Sequence, residues 1–422
     1  MRRARPVGKD TVTAKIQARL ASLEPHRQSV IISGSRRLLP YTPRSDGEIM
    51  LRIFIASSFL LALGAPSLAQ DSSIESETGR IAVETFAEGL EHPWGATYLP
   101  DGVLLVTERP GRLRLVSTDG AVSDPIDGVP DVLAGGQGGL LDVALDPDFA
   151  NNRTVYLSYS EERGGGAATS VGRGRLDENG SALSNFEVIF RQEPAVSGRN
   201  HYGSRLVFAP DGKLFVTLGE RFKMRQAQDP NNHLGTIVRI NPDGSVPDDN
   251  PFVGKDGADE IWSYGHRNVQ SAALHPETGV LWTAEMGPLG GDELNIPEAG
   301  RNYGWPVVSW GRHYSGKRIP DPSTRPEFAD SIHSWTPVIS PSGMTFYTGD
   351  MFADWRGDLL ISGLSAEGIV RVRIDGKQVA GEEVLALGRR IRDVVQAPDG
   401  AVMALTDEPA GKILRLSPAA SQ

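Results

Sequence analysis

A lone histidine, His201, lies in the segment SGRNHYGSRL, directly before a run of apolar residues. A histidine in a loop commonly packs against its neighbours or faces solvent, so its type alone assigns no role. His201, however, begins the third of six repeated units described below, which should point its imidazole at the molecular axis. A neutral imidazole with a pKa near about 6.5 is suited to accept a proton. We therefore predict that His201 is a general base.

Two further loops carry amide and cationic side chains at comparable places in their repeats. Their polar residues are Gln137 in GGQGGLLD, and Arg267 and Asn268 in SYGHRNVQ. His266 precedes this last pair and is expected to be a structural hydrogen-bonding residue. Loops on a rigid scaffold commonly carry binding residues. The sequence therefore predicts one polar pocket that these side chains share with His201.

Two arginines are spaced by two residues in the segment GRRIRDV. Because side chains alternate along a strand, Arg390 and Arg392 should point to the same side. Such a pair is often found on an ordinary surface. Here it lies just before an apolar run, where two aligned guanidinium groups would hold an anionic ligand.

The segment AEMGPLGGDELN is the candidate for a metal ion. Asp292 and Glu293 follow a turn at Gly287 and Pro288. These acids are either solvated surface groups or part of a calcium-binding loop, since Ca²⁺ prefers carboxylate and carbonyl oxygens. The chain has no cysteine and no H-E-x-x-H pair, which argues against a zinc enzyme.

These loops need a scaffold, and a pattern repeated six times indicates what it is. Each copy is an apolar run, a turn resembling Pro-Asp-Gly and a second apolar run, which is typical of a β-hairpin. The copies are GATYLPDGVLLVTE, DVALDPDFANNRTVYLSY, RLVFAPDGKLFVTLGE, SAALHPETGVLWTAEMG, MTFYTGDMFADWRGDLLISG and RDVVQAPDGAVMALTDE.

The repeat spacing suits an all-β, six-bladed β-propeller of four-stranded antiparallel blades. Successive turns lie 47 to 73 residues apart, which leaves room for four short strands and their loops. A β-sandwich or a β-barrel would contain fewer than six such hairpin repeats, so these folds are disfavoured. The segment Ile81–Phe86 is expected to join the last blade and close the ring. Loops at one end of the ring would then converge on the central axis.

The N-terminal region is predicted to lie outside this propeller. Residues 50–69 have one arginine, an apolar run and a small-x-small end, which is typical of a secretory signal peptide. The run is too short to span a membrane. Residues 1–49 are interpreted as an upstream extension that is not native or is disordered. Residues 70–422 would form a single catalytic propeller domain in the periplasm or outside the cell.

Charge and composition exclude some classes of partner. Residues 71–422 contain 32 Lys and Arg against 49 Asp and Glu, a formal net charge of −17. A nucleic-acid-binding protein needs a basic surface to neutralise phosphates, so this class is disfavoured. Export also makes Ca²⁺ a plausible ligand, because that ion is abundant outside the cytoplasm.

Three segments in this order resemble the soluble, pyrroloquinoline-quinone-dependent sugar dehydrogenases. They are GHRNVQSAALHPETGVLWTAEMGP, GGDELNIPEAGRNYGWP and RIRDVVQAPDG. The resemblance runs from HPWGATYLPDG to the last of these segments. It implies an oxidoreductase that converts the anomeric carbon of aldoses to a lactone, with hydride transfer to a Ca²⁺-activated quinone. Either a small cytochrome or a membrane quinone would accept the electrons.

The resemblance also implies roles for individual residues. His201 matches the general base of the family. The residues that match cofactor or substrate positions are Gln137, Arg267, Asn268, Arg390 and Arg392. The carbonyl groups of Gly287 and Pro288 match ligands of the calcium ion beside the quinone. Glu293 and the carbonyl of Tyr303 match a second, structural calcium site.

Two positions depart from the glucose dehydrogenase pattern. Ser365 stands where a lysine contacts the cofactor, and Asn200 stands where an aspartate precedes the base. Two alternatives of other classes therefore stay open. One is a non-catalytic ligand-binding propeller, and the other is a calcium-dependent lactone hydrolase.

Overall fold

The computed structural model describes residues 72–420, which fold almost entirely into antiparallel β-structure. The predicted extension and signal peptide lie outside the described residues. The only α-helix in the described part is α1 (Phe149–Asn152). Short 3-10 segments span Met224–Gln228, Pro322–Thr324 and Ala353–Trp355. Within residues 72–420, no helix combines the length and the apolar composition that crossing a membrane requires.

The first three blades follow one another along the chain. Blade 1 contains β3 (Pro93–Tyr98), β4 (Leu104–Glu108) and β5 (Arg112–Val116). Blade 2 contains β6 (Leu140–Leu145), β7 (Thr154–Arg163), β8 (Gly166–Leu176) and β9 (Leu183–Arg191). Blade 3 contains β10 (Gly203–Phe208), β11 (Leu214–Leu218), β12 (Thr236–Ile240) and β13 (Ile261–Tyr264).

The other three blades complete the ring. Blade 4 contains β14 (Val269–Leu274), β15 (Leu281–Glu285), β16 (Asp292–Asn295) and β17 (His333–Trp335). Blade 5 contains β18 (Pro341–Phe346), β19 (Leu359–Gly363), β20 (Gly368–Asp375) and β21 (Gln378–Ala386). Blade 6 contains β22 (Ile391–Gln396), β23 (Val402–Thr406) and β24 (Gly411–Pro418), joined by β1 (Ser72–Ser76) and β2 (Gly79–Leu90).

The six-bladed propeller that the repeats predict is confirmed, and so is the way the ring closes. Strand β2 pairs antiparallel with β24 from Ile81, opposite Pro418, to Leu90, opposite Gly411. Hydrogen bonds between the two ends of the ring therefore hold it shut. Blade 6 consequently has five strands, whereas blade 1 has three.

The innermost strands β3, β6, β10, β14, β18 and β22 pack side by side around the central axis. Each begins at the same end of the ring, which we call the mouth face. The polar loops that carry Gln137, His201, Arg267 and Arg390 precede β6, β10, β14 and β22 there. Apolar side chains fill the layers between the blades. Trp282 of blade 4, for example, meets Phe346 of blade 5 edge to face, with ring centroids 5.6 Å apart.

A buried ion triad closes the centre of the ring. The Arg205 guanidinium lies 3.0 Å from Asp142 Oδ1 and 3.0 Å from Asp393 Oδ1, which links blades 2, 3 and 6. Two glycines make room for it. A Cβ on Gly95 would lie 2.6 Å from Asp142 Oδ1, and one on Gly343 would lie 1.8 Å from Asp393 Oδ1. The inner strands therefore meet around this triad, and the mouth lies on one side of it.

Candidate active site

His201 is held by its backbone at the entrance to β10. Its φ is +56°, a left-handed conformation that is uncommon outside glycine, and its N–H donates to Gln137 Oε1 at 2.7 Å. The opposite strand must approach closely, since a Cβ on Gly219 would lie 2.1 Å from the His201 carbonyl oxygen. Backbone strain of this kind concentrates at functional sites. The structure therefore brings two of the predicted residues, His201 and Gln137, into direct contact.

The His201 imidazole forms a buried pair with a carboxylate. Its Nδ1 lies 2.9 Å from Glu220 Oε1, and both side chains are almost completely buried. An Nδ1–H that donates to the carboxylate fixes the tautomer with a free lone pair on Nε2. Burial lowers the pKa of His201 below its usual value, against the opposing effect of Glu220. The ring is therefore neutral and oriented at physiological pH.

Glu220 was not predicted as a site residue, although the sequence pattern around it indicates its position. Glu220 ends the second apolar run of the third repeat, and the hairpin register places Gly203 opposite Leu218. Residues just outside that pair, His201 and Glu220, must therefore face each other. Blade 4 also contains a histidine–glutamate pair, since His266 Nδ1 lies 2.9 Å from Glu285 Oε1, but there Glu285 is in register with Val269 and not with His266. The hairpin geometry, read from the turn outward, therefore predicts the His201–Glu220 pair but not the pair in blade 4.

Arg221 and Phe222, which follow Glu220 in the chain, complete the surroundings of the His201 imidazole. Phe222 stacks on the imidazole with ring centroids 4.1 Å apart, and it is half exposed. Arg221 is buried, lies over the Tyr202 ring at 3.5 Å and donates to the carbonyl groups of Asn200 and Gly198. The loop before His201 is thus tied down by a cation, and one face of the imidazole is covered.

Arg267 lies at the centre of the mouth. Its Nη1 donates at 2.8 Å to the carbonyl groups of Met286 and Gly287, and its Nη2 donates to Tyr314 Oη at 2.9 Å. Its guanidinium also lies 5.3 Å from the Trp305 ring. The buried Nε has no protein partner within the described residues. Arg267 is therefore fixed in place and keeps one donor for another group.

Asn268 and His266 are structural neighbours of this arginine. Asn268 is fully buried, and its Oδ1 accepts from the Gly203 N–H at 3.1 Å. It therefore joins blades 3 and 4 behind the mouth. His266 is held between Ser263 Oγ and Glu285, both at 2.9 Å. The structural role expected for His266 agrees with these contacts.

The arginines of blade 6 share one carboxylate. Arg390 and Arg392 lie 2.9 and 3.1 Å from the two oxygens of Asp407. Burial alone would raise the pKa of Asp407, but the two cations hold it at about 2. Arg390 is half exposed, whereas Arg392 is buried and donates to Gln270 Oε1 of blade 4 at 3.2 Å. The pair therefore faces the same mouth as Arg267.

The turn at Gly287 and Pro288 lies next to Arg267, with the Gly287 carbonyl accepting from it. Asp292 supports this turn from behind, because its two oxygens accept from the backbone N–H groups of Gly287 at 2.7 Å and Ser340 at 2.6 Å. Burial raises the pKa of Asp292 to about 6. The turn therefore presents the Gly287 carbonyl oxygen, and not this carboxylate, to Arg267.

A small enclosed pocket behind the turn contains two facing acids. Glu293 and Glu285 line it together with Tyr303 and Ser309. Burial, and then the charge of Glu285, raise the pKa of Glu293 well above its usual value. Two enclosed carboxylates with backbone carbonyls nearby have the donor chemistry that Ca²⁺ prefers. Within residues 72–420, no three His, Asp or Glu side chains cluster as a metal site, so any ion there would need backbone ligands.

The two departures from the family pattern lie at the mouth. Ser365 Oγ is 2.6 Å from Ser340 Oγ, so a neutral pair of hydroxyl groups occupies that edge. The backbone carbonyl oxygen of Asn200 accepts a hydrogen bond from the Arg221 guanidinium. The carboxylate beside the base therefore comes from Glu220, two residues before the stacked Phe222, and not from the residue preceding His201.

Taken together, the fold and the site define a β-propeller with an oriented, neutral histidine and several guanidinium groups around one mouth. The sequence profile of the glucose/sorbosone dehydrogenase family matches residues 90–415. The chain belongs to the glucose/sorbosone dehydrogenase family. The resemblance stated from the three sequence segments is thereby confirmed.

Relatives and solved structures agree with this assignment. The chain is 43% identical over 362 residues to the aldose sugar dehydrogenase YliI of Escherichia coli, covering 84% of this chain and 97% of that protein. The apo-form crystal structure of the E. coli aldose sugar dehydrogenase matches with a TM-score of 0.77 and 44% identity, over 80% of this chain and all of that one. The PQQ-bound aldose sugar dehydrogenase of Streptomyces coelicolor matches with a TM-score of 0.67 and 30% identity, over 82% and 99%.

Proposed function

We propose that this protein is an exported quinoprotein that oxidises the anomeric carbon of aldose sugars to lactones. The observation that carries the proposal is the His201–Glu220 pair, which presents a neutral Nε2 at a mouth containing Arg267 and Arg392. A periplasmic or secreted location rests on the signal peptide predicted at residues 50–69. The same proposal takes pyrroloquinoline quinone and Ca²⁺ as the cofactors.

The residues fit a flat, polyanionic cofactor. Arg392 is buried and Arg390 lies beside it, while Arg267 keeps an unpaired buried Nε. Guanidinium groups are the preferred partners of carboxylates, and charge-assisted hydrogen bonds are stronger than neutral ones. Gln137 stands at the same opening. When bound, the quinone would supply the acceptor for a hydride, while Ca²⁺ on the Gly287 and Pro288 carbonyl oxygens would polarise it.

The chain's own residues do the proton chemistry. His201 Nε2 would accept the proton of the anomeric hydroxyl as the sugar is oxidised. Glu220 stabilises the imidazolium that forms and keeps the ring in the required tautomer. Phe222, stacked on the ring, keeps water from one face. The neutral state favoured by burial means that no proton must be removed before the step.

The buried arginine of blade 6 should control cofactor affinity. A guanidinium–carboxylate pair in a partly desolvated site contributes about 1.5–3 kcal/mol. Arg392→Ala should therefore raise the dissociation constant of pyrroloquinoline quinone by about tenfold to a hundredfold. The Michaelis constant for the sugar of fully loaded enzyme should change little. Fluorescence quenching gives the cofactor constant, and Arg389→Ala, whose arginine pairs with Glu408, is the matched control. Normal cofactor affinity in the Arg392 variant would place that arginine outside the site.

Calcium should stabilise the fold through the pocket of Glu293 and Glu285. An ion that binds only the folded state adds about 2.7 kcal/mol at a free concentration one hundred times its dissociation constant. Chelation should therefore lower the melting temperature and weaken cofactor binding. Differential scanning calorimetry with and without Ca²⁺ measures the first effect. Glu293→Gln removes one of the facing charges and should reduce the calcium-dependent shift. A melting temperature that is unchanged by chelation would contradict both proposed calcium sites, the one at the Gly287–Pro288 turn and the one at Glu293.

The proposed activity is tested with purified protein comprising residues 71–422. It is loaded with pyrroloquinoline quinone and Ca²⁺ and supplied with aldoses and a redox dye, and the sugar product is identified by NMR. We expect a lactone to form and, with a dye that accepts two electrons, one dye molecule to be reduced for each lactone. A non-catalytic propeller would bind the sugar without dye reduction. A lactone hydrolase would instead open an added lactone without any dye.

A further inference from the structure

An exposed apolar surface surrounds the mouth. Seven large hydrophobic side chains are exposed in the described part of the chain. Four of them lie on the mouth face, namely Phe222, Met224, Leu289 and Tyr314, with exposed fractions of 41% to 66%. We call these four residues the mouth patch. Clustered exposed hydrophobic residues on a folded protein commonly mark an interaction site.

Direct contacts show that the patch belongs to one opening. The 3-10 segment after Phe222 is joined to the Trp305 loop, because Gln228 Nε2 donates to the Trp305 carbonyl at 2.8 Å. Leu289 exchanges two backbone hydrogen bonds of 3.1 Å with Arg312. Tyr314 accepts from Arg267 at the centre of the site. The loops that carry the patch therefore form a continuous rim next to the base and the cofactor pocket.

The same rim is basic although the protein is acidic. Residues 221–228 and 310–318 contain no Asp or Glu, while residues 71–422 as a whole carry a formal charge of −17. Arg225, Arg312 and Lys317 are exposed, and no carboxylate of the described residues lies within 4.0 Å of them. Elsewhere most exposed arginines are paired, as Arg415 is with Asp399. The rim therefore carries three exposed cations that have no carboxylate neighbour in the described part of the chain.

Building on the proposed function, we propose that the mouth patch docks a small acidic redox protein that accepts the electrons. Apolar contacts supply attraction, and the cations would guide an acidic partner towards the mouth. The buried Arg392 and Arg267 are placed to hold the cofactor, which leaves the exposed cations for a partner. Each aldose oxidised releases two electrons and two protons. Two ferric haem proteins would be reduced in turn, and the protons would pass to solvent.

The test compares two charge-reversal variants. The mouth variant combines Arg225→Glu, Arg312→Glu and Lys317→Glu. The control variant carries three equal changes at Lys213, Lys255 and Lys377, which lie in loops at the opposite end of the ring. The probe is an acidic single-haem cytochrome c, with a basic cytochrome c of similar size as its counterpart. Binding is measured by calorimetry on cofactor-loaded protein, and again without cofactor.

We expect the mouth variant to bind the acidic cytochrome at least tenfold more weakly, and the control variant to stay within twofold of wild type. Wild-type affinity should fall as salt rises, and the basic cytochrome should not bind. Reduction of a small neutral dye should be the same in all three proteins. Met224→Ser with Leu289→Ser should weaken binding without changing its salt dependence.

Several outcomes would overturn the proposal. Equal affinity in both charge variants, or no binding of the acidic cytochrome, would remove the patch as its docking site. Slower cofactor loading with unchanged cytochrome binding would assign the rim cations to the cofactor. Cation-dependent binding to anionic lipid vesicles alone would assign the patch to a membrane. Docking that persists while aldoses fail to reduce the cofactor would contradict the proposed function and leave the docking site standing.

Discussion

His201→Gln should lower the turnover number for aldose oxidation by about 10²–10⁴-fold, the range that general-base assistance supplies. Glutamine retains a polar side chain of similar reach, but it cannot accept the proton of the anomeric hydroxyl. The dissociation constant of the cofactor should stay close to that of wild type, because arginines hold it. Stopped-flow measurement of a single turnover separates these two quantities.

The pH dependence gives an independent readout of the same residue. Only the neutral imidazole accepts a proton, so the wild-type rate should fall as the pH drops through the pKa of His201. Burial lowers that pKa, so this fall should occur below the pH at which an exposed histidine titrates. Glu220→Gln removes the charge that opposes this effect and should move the fall to still lower pH. His275→Gln, in a hairpin turn at the opposite end, is the control. A His201 variant with wild-type turnover would show that another group is the base.

Arg205→Ala should destabilise the propeller by about 3–5 kcal/mol, because it leaves two buried carboxylates without their cation. The Arg205 side chain is 6% exposed, and Asp142 and Asp393 are similarly buried. Burial already raises the pKa of Asp393 to about 6 with the arginine in place. Without it, both acids would have to take up protons or draw in water. Urea unfolding measures the loss of free energy.

Two further variants keep this prediction testable if the first one fails to fold. Arg205→Met combined with Asp142→Asn and Asp393→Asn removes all three charges and should regain much of the stability. Arg415→Ala breaks a surface pair with Asp399 and should cost about 0–1 kcal/mol. If Arg205→Ala were as mild as Arg415→Ala, the triad would not hold the inner strands together.

The sequence was most informative where local turn chemistry determines structure. Each Pro-Asp-Gly-like turn between two apolar runs specifies a hairpin, and six such hairpins specify a ring of blades. The pairing of Ile81 with the last blade also follows, because a ring needs its first strand to close it. The unequal numbers of strands in blades 1 and 6 could not be predicted from the sequence. They depend on which distant segments pair, and no local residue choice encodes that.

Parts of the site could not be predicted from the sequence, because they depend on contacts between residues that are far apart in the chain. His201 stood out by its type and place, but its partner Glu220 lies 19 residues away across a hairpin. The sequence marked Asn200, next to the base, as the position of a missing carboxylate. The ion triad shows a similar limit, since Arg205 and Asp393 are 188 residues apart and meet only because each is the third residue of an inner strand. A shared position in each repeat was the available signal for both.

The most direct test of the proposed function is to reconstitute the protein with pyrroloquinoline quinone and Ca²⁺, exclude oxygen, and add one equivalent of an aldose. The absorbance band of the bound quinone is then followed with time. We expect the band to bleach completely and one equivalent of lactone to form. A stably bound quinone that keeps its absorbance in the presence of every aldose offered would contradict the assignment as a sugar-oxidising quinoprotein.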